Sequence, residues 1–86
     1  MMVVFEVHLA PDAGPVELLS QETLKETQAQ VMTLDEAGKV GFGGLPAPPA
    51  GVDVRLIAVA KRDAGWVQKR LDANEGVAGY KVHEVG

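Results

Sequence analysis

The chain has 86 residues, no cysteine and a net charge of −4 at pH 7, and these features limit its fold and function. The length predicts one domain over residues 1–86, and the lack of cysteine excludes disulfides and thiolate metal sites. An acidic chain argues against general nucleic-acid binding, and no segment approaches the ~18 apolar residues of a membrane span. Residues 1–9 include Glu6 and His8 and lack the basic region of a secretory signal, so we expect a cytoplasmic protein.

The charges are divided unevenly along the chain. Residues 1–53 hold two lysines and eight carboxylates, a net charge of −6, whereas residues 54–86 hold six basic and four acidic side chains, a net charge of +2. Such runs are usually solvated surface. The alternative is head-to-tail or self-complementary association through patches of opposite charge.

The first predicted element is a strand over Met2–Leu9, because apolar and polar residues alternate there. One face carries the apolar side chains of Val3, Phe5, Val7 and Leu9. Glu6 and His8 fall on the other face, which we expect to be solvated or partly covered. A turn-rich loop follows at residues 10–15.

The segment Val16–Gln28 supports two interpretations. Pro15 fits the first position of a helix, and Leu24 and Lys25 are helix formers. The apolar residues form no clean stripe, however, and Ser20 and the threonines lower the helix preference. A helix and a strand pair both remain open.

Residues 30–42 predict a hairpin followed by a loop. Two short apolar runs, residues 30–34 and 39–42, flank the acidic, Gly-ending turn Asp35-Glu36-Ala37-Gly38. Residues 43–51 are dominated by Gly and Pro, and we expect turn geometry and a stiff connector there rather than a phosphate-binding loop.

The C-terminal part predicts a strand–helix–strand unit. Residues 52–60 alternate and then become continuously apolar, which indicates a strand that is covered on both faces at its end. Asp63 is the expected N-cap of a helix whose apolar stripe is Ala64, Val67 and Leu71, and residues 74–76 end it. Residues 77–85 form the last strand, which should run parallel to residues 52–60.

Within that last strand, strict alternation sets the expected faces. Tyr80 and Val82 are predicted to share one face, and Val77 and Val85 the other.

The order of elements predicts an α+β fold. Without the short strand at residues 39–43, the order is β-α-β-β-α-β, that of a ferredoxin-like (split βαβ) sandwich. We expect a four- or five-stranded sheet with two helices on one face and with the first and last strands adjacent. The other face would be open or used for assembly.

One segment resembles a known family. Residues 33–46, TLDEAGKVGFGGLP, followed by residues 52–56, VDVRL, resemble the hairpin of carboxypeptidase regulatory-like β-sandwich domains. The shared features are a threonine, an acidic turn with Gly, an aromatic strand, Gly-Leu-Pro and an alternating strand. The resemblance covers roughly a quarter of the chain and implies, as an alternative, a β-rich structural or adhesion module.

No catalytic constellation is visible in the sequence. His8 and His83 are the only histidines, and in the ferredoxin-like order they lie toward opposite ends of the sheet, which disfavours a shared metal site. Ser20 is the only serine, and neither histidine has a neighbour that marks a catalytic triad. We predict no catalytic residue, no metal and no cofactor. A histidine acting as a general base is the enzymatic alternative.

The predicted contact surface is on the C-terminal helix. Trp66 lies near the helix start, with Arg62, Lys69 and Arg70 close by. Such a Trp is usually packed, but Trp and Arg are also enriched at interface hot spots. We therefore predict a non-catalytic interaction or regulatory module that self-associates as a homo-oligomer or binds a protein partner. A small-ligand-binding regulatory domain is the alternative.

Overall fold

The structure is a computed structural model that describes residues 2–11, 17–39 and 51–85. These residues form a small α+β architecture of four strands and three α-helices, and a 3-10 turn at Lys61–Asp63 leads into the last helix. The strands are β1 (Met2–Leu9), β2 (Gln30–Met32), β3 (Val54–Ala60) and β4 (Val77–Val85), and the helices are α1 (Gln21–Thr27), α2 (Leu34–Lys39) and α3 (Ala64–Asp72).

The four strands form one antiparallel sheet in the order β2-β3-β1-β4. The central strand β1 places Phe5 opposite Ile57 of β3 on one side and opposite Val82 of β4 on the other. The first and last strands are therefore neighbours, as predicted. Because β3 and β4 are both antiparallel to β1, they run parallel to each other, and α3 connects them.

One face of the sheet carries the larger core cluster and packs against α1 and α3. Its buried members are Val3, Phe5, Val7, Leu18, Leu19, Ala29, Ile57, Val59, Val67 and Leu71. Leu24 of α1 and Tyr80 of β4 pack against this cluster while partly exposed. Full burial of a Val or Leu side chain stabilises a fold by about 1.5–3 kcal/mol. This face has more buried apolar side chains than the opposite face, so it contributes more of the stability that comes from apolar burial.

The opposite face carries a smaller cluster of Val4, Met32, Ala37, Val54, Leu56 and Ala58. Ala37 belongs to α2, so this helix covers the part of the face formed by β2 and β3. This face was predicted to be open or used for assembly, and the first alternative is wrong over the part that α2 covers. The cause is a helix where a hairpin was expected.

The predicted hairpin is replaced by α2 because a capping box starts a helix there. Thr33 Oγ1 accepts a hydrogen bond from the Glu36 backbone N–H, and the Thr33 backbone N–H donates to Glu36 Oε1, both at 3.2 Å. This reciprocal pair satisfies two free donors at a helix start. The acidic residues that were read as a turn thus lie in the first turn of α2. Lys39, the first residue of the strand predicted at residues 39–43, is instead the last residue of α2, and residues 40–43 and most of the loop at 43–51 lie outside the described residues.

The open question about residues 16–28 is resolved as a helix over Gln21–Thr27. Ser20 is the N-cap, and its Oγ accepts a hydrogen bond from the Thr23 backbone N–H at 3.2 Å. Gln28 ends the helix in the left-handed conformation, with φ of 55°. The α+β structure with α1 and α2 gives no support to the β-rich alternative.

The helix α3 begins at Ala64, directly after Asp63, so Asp63 holds the N-cap position that was predicted. Asp63 is also the last residue of the 3-10 turn, and its side chain does not make the capping hydrogen bond that was expected. The 3-10 turn continues directly into α3, and Asp63 already has helical backbone angles, which removes the geometry that an N-cap requires. Beyond the other end, Asn74 Oδ1 accepts a 2.9 Å hydrogen bond from the Gly76 backbone N–H.

A bulge in β4 changes which side chains share a face. His8 pairs with Gly79 but Leu9 pairs with Val77, so Ala78 is an extra residue. The extra residue resets the alternation of the strand. Val77 therefore packs against the same cluster as Tyr80, and the prediction that these two residues face opposite sides was wrong.

Candidate functional site

The four predicted contact residues lie together on the outer side of α3 and its 3-10 turn. We call this set the α3 surface: Arg62, Trp66, Lys69 and Arg70, which line one shallow groove together with Asp63, Gly65 and Ala73. The opposite side of the helix is buried through Val67 and Leu71. The helical spacing that buries one side thus leaves the α3 surface in solvent.

Trp66 is the unusual member of the α3 surface because 47% of it is exposed. It belongs to neither core cluster. Arg70, one helical turn later, places its guanidinium carbon 6.0 Å from the centre of the indole ring, which is at the limit of a cation–π contact. An aromatic side chain of this size, exposed and beside an arginine, is typical of an interface anchor.

The charges of the α3 surface are mostly uncompensated. Arg62 Nε lies 3.6 Å from Asp63 Oδ2, an exposed pair of little energetic weight. Among the described residues, Lys69 and Arg70 take part in no ion pair. The surface is therefore basic on a chain whose net charge is −4.

A second polar site lies on the other face of the sheet, where β1 meets β4. Glu6 is only 3% exposed, and its carboxylate accepts a 2.5 Å hydrogen bond from His8 Nε2. His83 Nε2 lies 3.5 Å from the other carboxylate oxygen. Both histidines thus turn toward one buried carboxylate.

Sequence reasoning missed the role of Glu6. His83 of β4 lies opposite Val4 of β1, whereas His8 is itself on β1 and lies opposite Gly79. The two histidines are therefore separated by four residue positions along the β1–β4 pair, in agreement with the prediction that they lie toward opposite ends of the sheet. Glu6 lies midway between these positions on the same face, and both rings reach it. The alternation of Glu6 and His8 was a visible signal, whereas the approach of His83 depends on strand register.

The surroundings of Glu6 favour its ionised form. Burial of the carboxyl group alone raises its pKa, but the hydrogen bond from His8, the electrostatic interactions with His8 and Lys81 and the contact with His83 outweigh burial. Together they hold the pKa of Glu6 below its ordinary value of 4.5. Within the described part of the chain, the buried His83 Nε2 has no hydrogen-bond partner.

The Glu6 site has a limited chemical capacity. In the residues that the structure describes, no group of three or more potential ligands is arranged to hold a metal ion. Ser20, the only serine of the chain, caps α1 and donates its hydroxyl to Thr23 Oγ1 at 2.9 Å, so it is not a nucleophile for either histidine. The arrangement can hold a buried carboxylate that accepts a hydrogen bond from the adjacent imidazole N–H.

A third feature is an open cleft of about 530 Å³ between the end of α1 and the ends of the central strands. Its polar lining includes Glu26, Gln28, Gln30 and Arg62, and Met2 and Ala60 are among its apolar residues. Asp63 also lines the cleft, 3.6 Å from Arg62, so the lining holds two carboxylates and one guanidinium. Arg62 also belongs to the α3 surface.

Comparison with known proteins adds no relative, because the chain matches no family model, no curated protein and no solved structure. Across the described residues, no helix is both long and apolar enough to cross a membrane. The described residues form a small α+β domain with a four-stranded antiparallel sheet.

Proposed function

We propose that this protein is a non-catalytic interaction module that binds an acidic segment of a protein partner through the α3 surface. The observation that carries the proposal is the 47% exposure of Trp66 among three cationic side chains. Removal of an indole ring from water drives association, and adjacent arginines add charge-assisted hydrogen bonds to carboxylates.

The chemistry of the partner follows from charge complementarity. Lys69 and Arg70 have no ion-pair partner among the described residues. An acidic surface on a partner would therefore be attracted electrostatically to both side chains. An apolar residue in the acidic segment would cover the indole of Trp66. Hot spots of this composition carry most of the binding energy in interfaces.

The position of the α3 surface also supports binding without rearrangement. Val67 and Leu71 fix the inner side of α3 in the larger core cluster, with almost no exposed surface. Trp66, Lys69 and Arg70 are therefore presented from a rigid helix. A preorganised surface loses less conformational entropy on binding.

We propose in addition that the fold is a ferredoxin-like, split βαβ sandwich with α2 as an insertion. Two features support this class: the first strand, β1, lies between β3 and β4, and α1 and α3 pack on one face of the sheet. Removing α2 from the order of elements leaves β-α-β-β-α-β.

The binding proposal is tested with short fluorescein-labelled peptides of Glu and Asp around one central Leu. Fluorescence anisotropy measures their binding, and Trp66, the only tryptophan, reports contact through its own emission. We expect Trp66→Ala and Arg70→Glu each to weaken binding by about tenfold or more. Lys25→Glu makes the same change of charge as Arg70→Glu, but on the exposed side of α1, and should have little effect.

Peptides with Lys in place of Glu and Asp, or Ser in place of Leu, are the matched ligands. Equal binding of the acidic and basic peptides, or full retention by Trp66→Ala, contradicts the proposal. Stability must be measured in parallel. Trp66→Ala should lower the free energy of unfolding by less than about 1 kcal/mol, whereas Leu71→Ala should lower it by about 2–5 kcal/mol.

A small-ligand regulatory domain is the second candidate, and the cleft beside α1 is the observation that favours it. Glu26 and Arg62 offer opposite charges, and the amides of Gln28 and Gln30 offer donors and acceptors. A thermal-shift screen with free amino acids and nucleotides tests this candidate. This candidate predicts that at least one ligand raises the melting temperature of the protein and that Glu26→Gln abolishes the rise. The absence of a shift with every ligand removes it.

A further inference from the structure

The strand β4 forms a long edge of the sheet. It has nine residues and pairs with β1 on one side, and no strand among the described residues pairs with its other side. In an antiparallel ladder, alternate residues direct their N–H and C=O groups away from the paired neighbour. Such an edge is a template for another strand.

Val82, near the middle of this edge, has an unusually exposed side chain. At 50% exposure it is the most exposed large apolar side chain in the described residues. It pairs with Phe5 across the ladder and so faces the side of the larger core cluster. A β-branched apolar side chain at a sheet edge is more favourably packed against a neighbouring strand than exposed to water.

We propose that β4 pairs antiparallel with β4 of a second copy about a two-fold axis at Val82, which gives a homodimer with a continuous eight-stranded sheet. A strand pair of this kind is isologous, because the same surface serves both copies. The new backbone hydrogen bonds satisfy the free edge, and the two Val82 side chains cover each other. This proposal uses β4 and does not depend on the α3 surface.

The side chains along β4 disfavour the two registers adjacent to this one. Directly opposite residues must share a face of the sheet, so the axis passes through a residue of the strand. An axis at Lys81 places two lysines opposite each other, which is destabilising. An axis at His83 places Val82 opposite Glu84. The axis at Val82 instead pairs Val82 with itself, Tyr80 with Glu84, and Lys81 with His83.

The other edge of the sheet is less suitable. β2 has three residues, Gln30–Met32, and short edge strands are one way in which proteins avoid pairing. Val31 on β2 faces the same side as Val82 and is 39% exposed. It therefore provides a matched control with the same residue type, face and edge location.

The test uses single-cysteine variants, because the chain contains no cysteine of its own. Opposite Cβ atoms in an antiparallel pair lie about 4.5–5.5 Å apart, close to the span of a disulfide, so Val82→Cys should form a covalent dimer under mild oxidation. Val31→Cys should remain largely monomeric. Glu84→Cys, which would lie opposite Tyr80, should cross-link far less than Val82→Cys.

Sedimentation velocity over a range of concentrations gives the second readout. The unmodified chain should dimerise, Val82→Lys should raise the dimer dissociation constant by about tenfold or more, and Val31→Lys should not change it. Trp66→Ala should also leave it unchanged, which separates this proposal from binding through the α3 surface. A chain that stays monomeric at every concentration, or equal cross-linking of Val82→Cys and Val31→Cys, overturns the proposal.

Discussion

Glu6 and His8, two residues apart on β1, are joined by a 2.5 Å hydrogen bond at a carboxylate that is almost fully buried. Among the described residues it is the one side-chain hydrogen bond to this carboxylate that meets the distance and angle of a hydrogen bond, and His83 Nε2 lies farther away, at 3.5 Å. Glu6→Gln keeps the size of the side chain but removes its charge and one acceptor. We expect it to lower the free energy of unfolding by about 1–3 kcal/mol at neutral pH, measured by urea denaturation with circular dichroism.

The same residue predicts an acid dependence of stability. Because the folded state holds the pKa of Glu6 below 4.5, Glu6 stabilises the fold fully above pH 4.5, and this contribution is lost as the pH falls through the folded value. Unfolding measured from about pH 6 to about pH 3 should show a shallower loss for Glu6→Gln than for the unmodified chain. Glu75→Gln, at an exposed residue, is the control. Identical acid slopes for Glu6→Gln and the unmodified chain would falsify this assignment.

Tyr80 predicts a dependence at the alkaline end. Its hydroxyl donates a 2.7 Å hydrogen bond to Asp72 Oδ1, and this bond together with burial raises the pKa of Tyr80 above 10.0. The resulting stabilisation is present below pH 10 and is lost as the pH rises through the folded value. Tyr80 is the only tyrosine, so ultraviolet absorbance follows it alone. Asp72→Asn should move its titration toward pH 10, whereas Asp63→Asn should leave it unchanged.

The capping box of α2 predicts a local loss of stability on substitution. Thr33→Ala removes the acceptor for the Glu36 backbone N–H and should lower the free energy of unfolding by about 0.5–2 kcal/mol. Asp35→Ala, in the same turn, makes no such bond and should cost less. A double-mutant cycle with Glu36→Ala should show coupling, and additive effects of the two substitutions would argue against a reciprocal cap.

Local sequence patterns predicted the elements whose periodicity is unbroken. The alternation in Met2–Leu9 and the helical spacing of Val67 and Leu71 require only neighbours along the chain, and both elements formed. The helix α2 was readable too, since Thr33 and Glu36 have capping-box spacing, but the acidic, Gly-ending segment between the apolar runs also suits a turn.

The Glu6 site was less accessible from the sequence. The approach of His83 to Glu6 requires the register between the first and last strands, which is continuous from Met2 opposite Val85 to His8 opposite Gly79 and shifts only beyond His8. No local pattern specifies a contact between such distant residues. Gly79 beside the bulge is a visible signal of the bulge itself, because a Gly inside a strand often marks such an irregularity.

Gln28 predicts a stabilising substitution. It adopts φ of 55° at the end of α1, a conformation that costs an ordinary residue about 1 kcal/mol and costs glycine little. Gln28→Gly should therefore raise the melting temperature, whereas β-branched Gln28→Val should lower it. Gln30→Gly, two residues later in β2, should be destabilising, and a gain there equal to that of Gln28→Gly would show that backbone strain is not the cause.

The central place of β1 also constrains how the chain reaches its native state. Met2 pairs with both Ala60 and Val85, so the sheet cannot be completed until segments far apart in the chain have met. Closing such long loops precedes the gain from pairing, and chains with this topology fold more slowly than helical proteins of equal size. We infer that the rate of folding is set by the search of β1 for its two neighbours, whatever the helix preferences of the intervening segments.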